Sequence, residues 1–183
     1  EYFMSHPAKV LAAKLSAQGE DKLNLVISFD SAQQGITIVE QNILKLEGEV
    51  KDNGLKYCSI LKVETHGGNI TAAGDRLVIN EAESAVLYLA AATDYENRWP
   101  AYRTGETAEA LRERVAQVLE RAAACGYERL KEEHIRDYRK LFSRVTLNLG
   151  TDSSRYTTDR LLERYKSGLA SESEKRCLEV LLF

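Results

Sequence analysis

Three polar side chains of the types used in catalysis lie close together in the segment KEEHIRDYRKLF, residues 131–142. His134, Asp137 and Tyr138 fall within two turns of a predicted helix, where an imidazole beside a carboxyl group and a phenol would allow acid–base chemistry. At about 100° per residue, however, His134 lies near the centre of an apolar stripe and Asp137 at its edge. We therefore interpret His134 as a packed structural histidine whose imidazole, or a nearby backbone amide, could donate a hydrogen bond to Asp137.

The sequence contains no arrangement typical of a metal site or an activated nucleophile. A zinc protease requires two histidines four residues apart on one helix, and the helix of His134 carries only that one. The cysteines are widely separated and form no C-x-x-C pair: Cys58, Cys125 and Cys177. Because G-x-S-x-G and phosphate-binding glycine loops are also missing, the sequence predicts neither a metal centre nor covalent catalysis.

The loop YENRWPAYRTG, residues 95–105, concentrates aromatic and basic side chains beside a predicted strand. It holds the only tryptophan, Trp99, together with Tyr102 and Arg103. Aromatic rings and guanidinium groups on such a loop can stack on sugar rings, which makes these three the predicted ligand-binding residues. Packing of the same side chains against a neighbouring domain is the other interpretation, and the sequence favours it over ligand binding.

Alternation of apolar and polar residues with a period of two dominates residues 8 to 92. In KLNLVISFD, for example, Leu23, Leu25 and Ile27 fall on one face of a predicted strand. The same signal recurs at residues 36–40, 43–49, 56–64, 75–80 and 85–91. Several short strands separated by glycine-containing turns predict an antiparallel β-sandwich.

After the loop at residues 95–105, the period of the apolar residues becomes about 3.6, which predicts helices. The first helix has an apolar stripe formed by Leu111, Val115, Val118, Leu119 and Ala122. Gly126 is placed to end it, and a second helix is predicted from Tyr127 to Leu141 or Phe142. The sequence thus predicts an α+β protein in which an antiparallel sandwich is followed by helices.

Shorter elements are predicted beyond the second helix. Alternation in VTLNLG predicts a single strand at residues 145–150. A short helix begins at a cap provided by Thr158 or Asp159, and Ser171 with Glu174 forms the capping box of a last helix. The chain begins with residues typical of the middle of a strand and ends on an apolar helix face. We therefore expect it to be a piece of a longer polypeptide.

Charge and hydropathy exclude two classes of partner. The net charge is −3, and basic residues alternate with acidic ones instead of forming a stripe, which argues against nucleic acid binding. No apolar run approaches the roughly 18 to 20 residues of a membrane span. We therefore predict no nucleic acid partner and no membrane span.

Three segments with recognisable motifs follow one another in the chain: LYLAAATDY (87–95), GYERLKEEHIRDYRKLFSRVTLNLG (126–150) and TTDRLLERYKSG (157–168). In this order and spacing they resemble glycoside hydrolase family 95, the α-L-fucosidases. The family's pair of early strands is similar to EYFMS followed by KVLAAKL. Thr157 departs from the pattern, which commonly has proline before T-D. The resemblance covers nearly the whole chain, with His134, Asp137 and Tyr138 as its structural landmark.

The resemblance implies a domain organisation. Residues 1–104 would be part of an N-terminal β-sandwich that belongs to a larger super-sandwich. Residues 105–183 would be a helical linker, with the 145–150 strand returning to the sheet and the first helix of an (α/α)6 barrel beginning at the C-terminus. The chain's own catalytic barrel would be its main partner.

The resemblance also implies an activity for the parent protein. Family members hydrolyse terminal α-L-fucosides of glycans with inversion and without a metal or organic cofactor, using barrel residues, so no catalytic residue is assigned to this chain. We expect it to be the non-catalytic portion of a bacterial, secreted or periplasmic glycosidase that takes a fucosylated glycan. An independent carbohydrate-binding or structural β-sandwich module is the alternative.

Overall fold

The computed structural model describes residues 1–144 and 156–180, in which nine strands precede four helices. The strands are β1 (Tyr2–Ser5), β2 (Val10–Ser16), β3 (Leu23–Ser28), β4 (Gly35–Glu40), β5 (Ile43–Glu49), β6 (Lys56–His66), β7 (Asn69–Ala73), β8 (Arg76–Ala82) and β9 (Ser84–Thr93). The helices are α1 (Ala108–Cys125), α2 (Tyr127–Phe142), α3 (Thr158–Lys166) and α4 (Glu172–Val180). Within the described ranges, none of these helices has the length and apolarity needed to cross a bilayer.

Two antiparallel sheets form the predicted sandwich. One sheet has the strand order β1-β2-β9-β6-β5-β4, and the other has the order β3-β8-β7. Leu25 and Ile27 of β3 turn toward the core between the sheets, as their alternation predicts. The buried residues of this core are Leu44, Leu61, Val63, Leu77, Ile79, Ala82 and Ala85. The predicted α+β class and antiparallel sandwich are therefore confirmed.

Helix α1 covers the other face of the six-stranded sheet. Its buried residues are Leu111, Val115, Leu119 and Ala122, which belong to the predicted stripe. The hydroxyl of Thr107 caps the helix by accepting a hydrogen bond from the Ala110 N–H at 3.2 Å. At the other end Gly126 has φ 81°, which suits the glycine predicted to end the helix. A second core of the fold thus lies between α1 and the sheet.

Helix α2 follows α1 directly but buries only part of its predicted stripe. Tyr127 and Leu130 are 6% and 1% exposed, because the first turns of the helix pack into the core beneath α1. Tyr138, Leu141 and Phe142, near the other end, are 53%, 62% and 65% exposed. The apolar stripe therefore changes from buried to exposed along one helix.

Residues 139–183 form a compact unit separate from residues 1–138. Helix α3 begins after Thr157 instead of at the predicted cap, Thr158 or Asp159, because Thr157 is extended and its carbonyl accepts the bond from Leu161 at 2.9 Å. Ser171 and Glu174 form the predicted capping box. The strand predicted at 145–150 lies outside the described residues, and the boundary predicted at residue 104 stays a prediction.

Candidate functional site

The loop that joins β9 to α1, residues 94–107, presents three aromatic rings at the surface. The rings of Tyr95 and Tyr102 are parallel to within 2°, with their centroids 6.5 Å apart. The Trp99 ring stands at 81° to that of Tyr102, at a centroid distance of 6.0 Å. Trp99 is 79% exposed, Tyr95 54% and Tyr102 37%. These three residues, which we call the aromatic corner, form a right-angled surface open to solvent.

Hydrogen bonds within the loop hold the aromatic corner in position. The Tyr102 N–H donates to the Arg98 carbonyl at 2.9 Å, and the Arg98 N–H donates to the Glu96 carbonyl at 2.8 Å. The Thr104 N–H donates to the Asp94 carbonyl at 2.8 Å and closes the base of the loop. Tyr102 has φ 52°, a left-handed conformation that costs a non-glycine residue roughly 1–3 kcal/mol. The surrounding bonds therefore fix Tyr102 in a conformation it would rarely adopt alone.

A buried carboxylate anchors the base of this loop. The Asp94 side chain is 3% exposed and accepts a hydrogen bond from the Lys56 N–H at 3.0 Å. The Lys56 ammonium and the Arg103 Nε each lie 3.6 Å from one of its oxygens. The Arg103 guanidinium also donates to the Asn53 carbonyl at 3.0 Å. Because a buried charge is tolerated only when it is paired and hydrogen-bonded, these contacts stabilise the folded loop as a unit.

An ion pair fastens the far end of the loop to α1. The Arg114 Nε donates to Glu106 Oε2 at 3.1 Å, and another nitrogen of the same guanidinium donates to the Thr93 carbonyl at 3.0 Å. The hydrogen bond from Arg114 is the main cause that lowers the pKa of Glu106. Glu106 therefore stays ionised at neutral pH, and the loop is held at both ends.

The structure places the three predicted ligand-binding residues in two different surroundings. Trp99 and Tyr102 lie together at the surface with exposed ring atoms. The Arg103 guanidinium is instead engaged with Asn53 and Asp94 at the base of the loop. Tyr95, which is not among the predicted ligand-binding residues, completes the aromatic corner. Its position in the same aromatic segment, residues 95–105, is the sequence signal that could have identified it.

The His134 segment has a packing geometry. The His134 ring stacks on Phe3 of β1 at a centroid distance of 5.0 Å and lies 6.3 Å from the Tyr138 ring. The Asp137 carboxylate lies 3.3 Å from His6 Nδ1, in the turn after β1. Asp137 thus faces His6, while the His134 ring lies against the rings of Phe3 and Tyr138. Only a contact distant in sequence reveals this partner of Asp137.

Hydrogen bonds hold several carboxyl groups of the described residues in the ionised form. Every carboxyl group there with a shifted pKa has it lowered, mainly by a hydrogen bond from a lysine, arginine or threonine side chain or from a backbone N–H. A general acid of a glycosidase needs a raised pKa. In the same residues, no three histidine, cysteine or acidic side chains cluster closely enough to hold a metal ion.

Two family models match the chain in succession. "Glycosyl hydrolase family 65, N-terminal domain" matches residues 1–98, which include all nine described strands. "Glycosyl hydrolase family 95 catalytic domain" matches residues 126–183, which include α2, α3 and α4. The interval between the two matches, residues 99–125, contains the later part of the loop, from Trp99 onward, and α1.

One relative and one solved structure are also similar to the chain. Alpha-L-fucosidase 2 of Arabidopsis thaliana is 27% identical over an alignment that covers 87% of this chain and 22% of the plant protein. The chain therefore spans about a fifth of that relative. A solved structure named "Putative kojibiose phosphorylase from human microbiome" aligns with a TM-score of 0.59 at 9% identity, over 77% of this chain and 21% of that one. At this identity the second likeness shows the fold alone.

Proposed function

The chain belongs to the glycoside hydrolases that join a family 65-type N-terminal domain to a family 95 catalytic domain, and from this premise we propose that it is the non-catalytic N-terminal and linker portion of a bacterial α-L-fucosidase-like enzyme. The observation that carries the proposal is the succession of the two family matches along one chain. The likeness to Alpha-L-fucosidase 2 favours α-L-fucosides of glycans as the substrate class of the parent protein.

The catalytic groups of the parent lie outside this chain in our proposal. Inversion requires one carboxylic acid to protonate the leaving oxygen and a base to activate water, about 6.5–9.5 Å apart. The shifted carboxyl groups described above are held ionised, which suits ion pairing and helix capping. We infer that the chain positions and supports a helical (α/α)6 barrel that supplies the acid and the base.

An uncovered face of the six-stranded sheet supports a larger super-sandwich. Tyr2 and Met4 pair across β1 and β2 with Ala13 and Leu11, and Leu11 pairs with Leu89, so these residues share the face of the sheet that packs on the three-stranded sheet. Yet Tyr2 is 79% and Met4 63% exposed. Since the described residues give the second sheet three strands against six, we propose that further β-structure of the parent covers this apolar strip.

Hydrolysis of an aryl α-L-fucoside by the complete protein tests the proposed activity. We expect turnover, with β-L-fucose as the first anomer detected by proton NMR, because inversion reverses the α configuration. Release of the α anomer first would refute inversion. Failure to hydrolyse fucosides, with hydrolysis of other glycosides, would refute the substrate class.

We also propose that the parent is secreted or periplasmic, since fucosylated glycans are largely extracellular polymers and conjugates. Cell fractionation with an antibody against this chain tests the location. Recovery in the extracellular or periplasmic fraction is expected, and recovery only with cytoplasmic markers would contradict the proposal.

A further inference from the structure

We propose that the aromatic corner formed by Tyr95, Trp99 and Tyr102 is a glycan-binding platform that holds a fucosyl unit by its apolar face. The inference rests on the proposed function for its ligand class. It goes further by placing a binding site on the loop that joins β9 to α1.

The chemistry of the aromatic corner fits a deoxy sugar. The face of an aromatic ring carries partial negative charge, and the C–H groups of a sugar ring carry partial positive charge, so the two attract when they stack. An α-L-fucosyl unit has a face of ring C–H groups that continues into its 6-methyl group. Two ring planes at 81°, those of Trp99 and Tyr102, can contact both the ring face and the methyl group.

The polar surroundings favour a glycan over a protein domain as the occupant. Glu96, Asn97 and Arg98, which separate Tyr95 from Trp99, are exposed. Such groups can hydrogen-bond sugar hydroxyls around the stacked ring, whereas the centre of a protein interface is depleted of charged residues. The sequence alternative of domain packing would require these charges to be desolvated.

The anchoring of the loop explains how a small surface can bind a sugar. Binding costs less when the groups that contact the ligand are already ordered. Arg103 orders this loop through Asn53 and Asp94, so we assign it as a positioning residue that acts through Tyr102 and Trp99. This replaces the direct ligand contact that its place in the sequence predicts.

Trp99 is the only tryptophan and therefore reports its own binding by fluorescence. We would titrate the 183-residue chain with 2′-fucosyllactose, using lactose as the matched sugar without the fucosyl unit. We expect a saturable fluorescence change with 2′-fucosyllactose and none with lactose. Tyr95→Ala should raise Kd about tenfold, since it removes a stacking surface but keeps the reporter.

Two further variants separate binding from folding. Tyr2→Ala removes an aromatic side chain that is as exposed as Trp99, at 79%, but lies on β1, and it should leave Kd unchanged. Arg103→Ala should weaken binding and also speed the fluorescence anisotropy decay of Trp99, which reports local motion of that ring. A general loss of stability would not increase the motion of this ring in particular. Unchanged far-UV circular dichroism would establish that each variant is folded.

Several results would overturn the platform. These are the absence of a saturable change at tens of millimolar 2′-fucosyllactose, an equal response to lactose, or an unchanged Kd in Tyr95→Ala. A change that depends on protein concentration would assign the surface to a second copy of the chain. Shielding of Trp99 from iodide in the complete protein without glycan would assign it to domain packing. Fucoside hydrolysis by the complete protein, measured separately, distinguishes failure of the platform from failure of the proposed function.

Discussion

Helices α1 and α2 adjoin in the chain and have similar apolar stripes, yet they use them differently. The stripe of α1 lies against the six-stranded sheet along its whole length, with Leu111 and Leu119 each 1% exposed. In α2 the burial ends after the first turns, and Leu141 is 62% exposed. An amphipathic pattern therefore identifies the face of a helix that can pack, while the available partner decides how much of that face is buried.

The largest difference is expected between two leucine truncations. Leu119→Ala should lower the free energy of unfolding by about 2–5 kcal/mol, because it leaves a cavity between α1 and the sheet. The matched change Leu141→Ala should alter it by at most about 0.5 kcal/mol, since that side chain is largely in solvent. Urea unfolding followed by circular dichroism measures both, and equal losses would refute the contrast between the helices.

An ion pair that ties α1 to the sheet should show the next largest effect. Arg112 holds Glu47 of β5 with two guanidinium nitrogens, Nη2 lying 2.7 Å from Oε2, and the Glu47 side chain is 17% exposed. We expect Arg112→Met to cost about 1–2 kcal/mol, because it leaves a half-buried carboxylate without its partner. Arg129→Met, which breaks the exposed pair with Glu133 on α2, should cost about 0.3–0.5 kcal/mol.

A smaller loss of stability is expected when His134 is replaced. His134→Ala removes the ring stacked on Phe3 and should lower stability by about 0.5–1.5 kcal/mol. The pH profile of fucoside hydrolysis by the folded complete enzyme should not move, since we give His134 no part in the chemistry. His66→Ala, at an exposed site, is the control for stability. A shifted pH profile with unchanged stability would instead support a catalytic histidine.

The last predicted effect is a loss of stability that is absent at neutral pH and develops in alkali. Burial, followed by the charge of Glu47, raises the pKa of Cys58 beneath α1 to about 11 from 9.0. Burial, followed by the charge of Glu1, raises the pKa of Tyr127 at the start of α2 to about 12 from 10.0. At a pH between the ordinary and the raised pKa of such a group, the unfolded chain has lost the proton and the folded chain still holds it. The free energy of unfolding must therefore fall as pH rises above about 9.

Two substitutions assign this alkaline loss to its sources. Cys58→Ala should flatten the dependence of the unfolding free energy on pH between about 9 and 11, and Tyr127→Phe should do so between about 10 and 12. Urea midpoints across this range provide the measurement. A slope that neither variant changes would show that other groups control the alkaline transition.

Local periodicity predicted the parts of the fold in which one face meets one continuous surface. The strands at residues 43–49 and 56–64 and the α1 stripe belong to this group. Strand β7, Asn69–Ala73, was missed because its residues are mostly exposed and only Ile70 packs inward, so alternation is barely visible. The early strands β1 and β2 came from the family resemblance and not from the period.

The site was less predictable because its organisation depends on contacts distant in sequence. Trp99 and Tyr102 could be picked out by residue type, since an exposed aromatic loop is conspicuous. The Asp94 anchor could not, because Lys56 and Asn53, which complete it, lie about 40 residues away. Likewise the pairing of Asp137 with His6 spans 131 residues and has no local signal.

Turnover of an aryl α-L-fucoside by the 183-residue chain, measured beside the complete protein and a heat-denatured control, tests whether the chain is non-catalytic. We predict hydrolysis by the complete protein and a rate for the chain alone that equals the denatured control. Turnover by the chain clearly above that control would place catalytic groups within residues 1–183 and contradict a non-catalytic role.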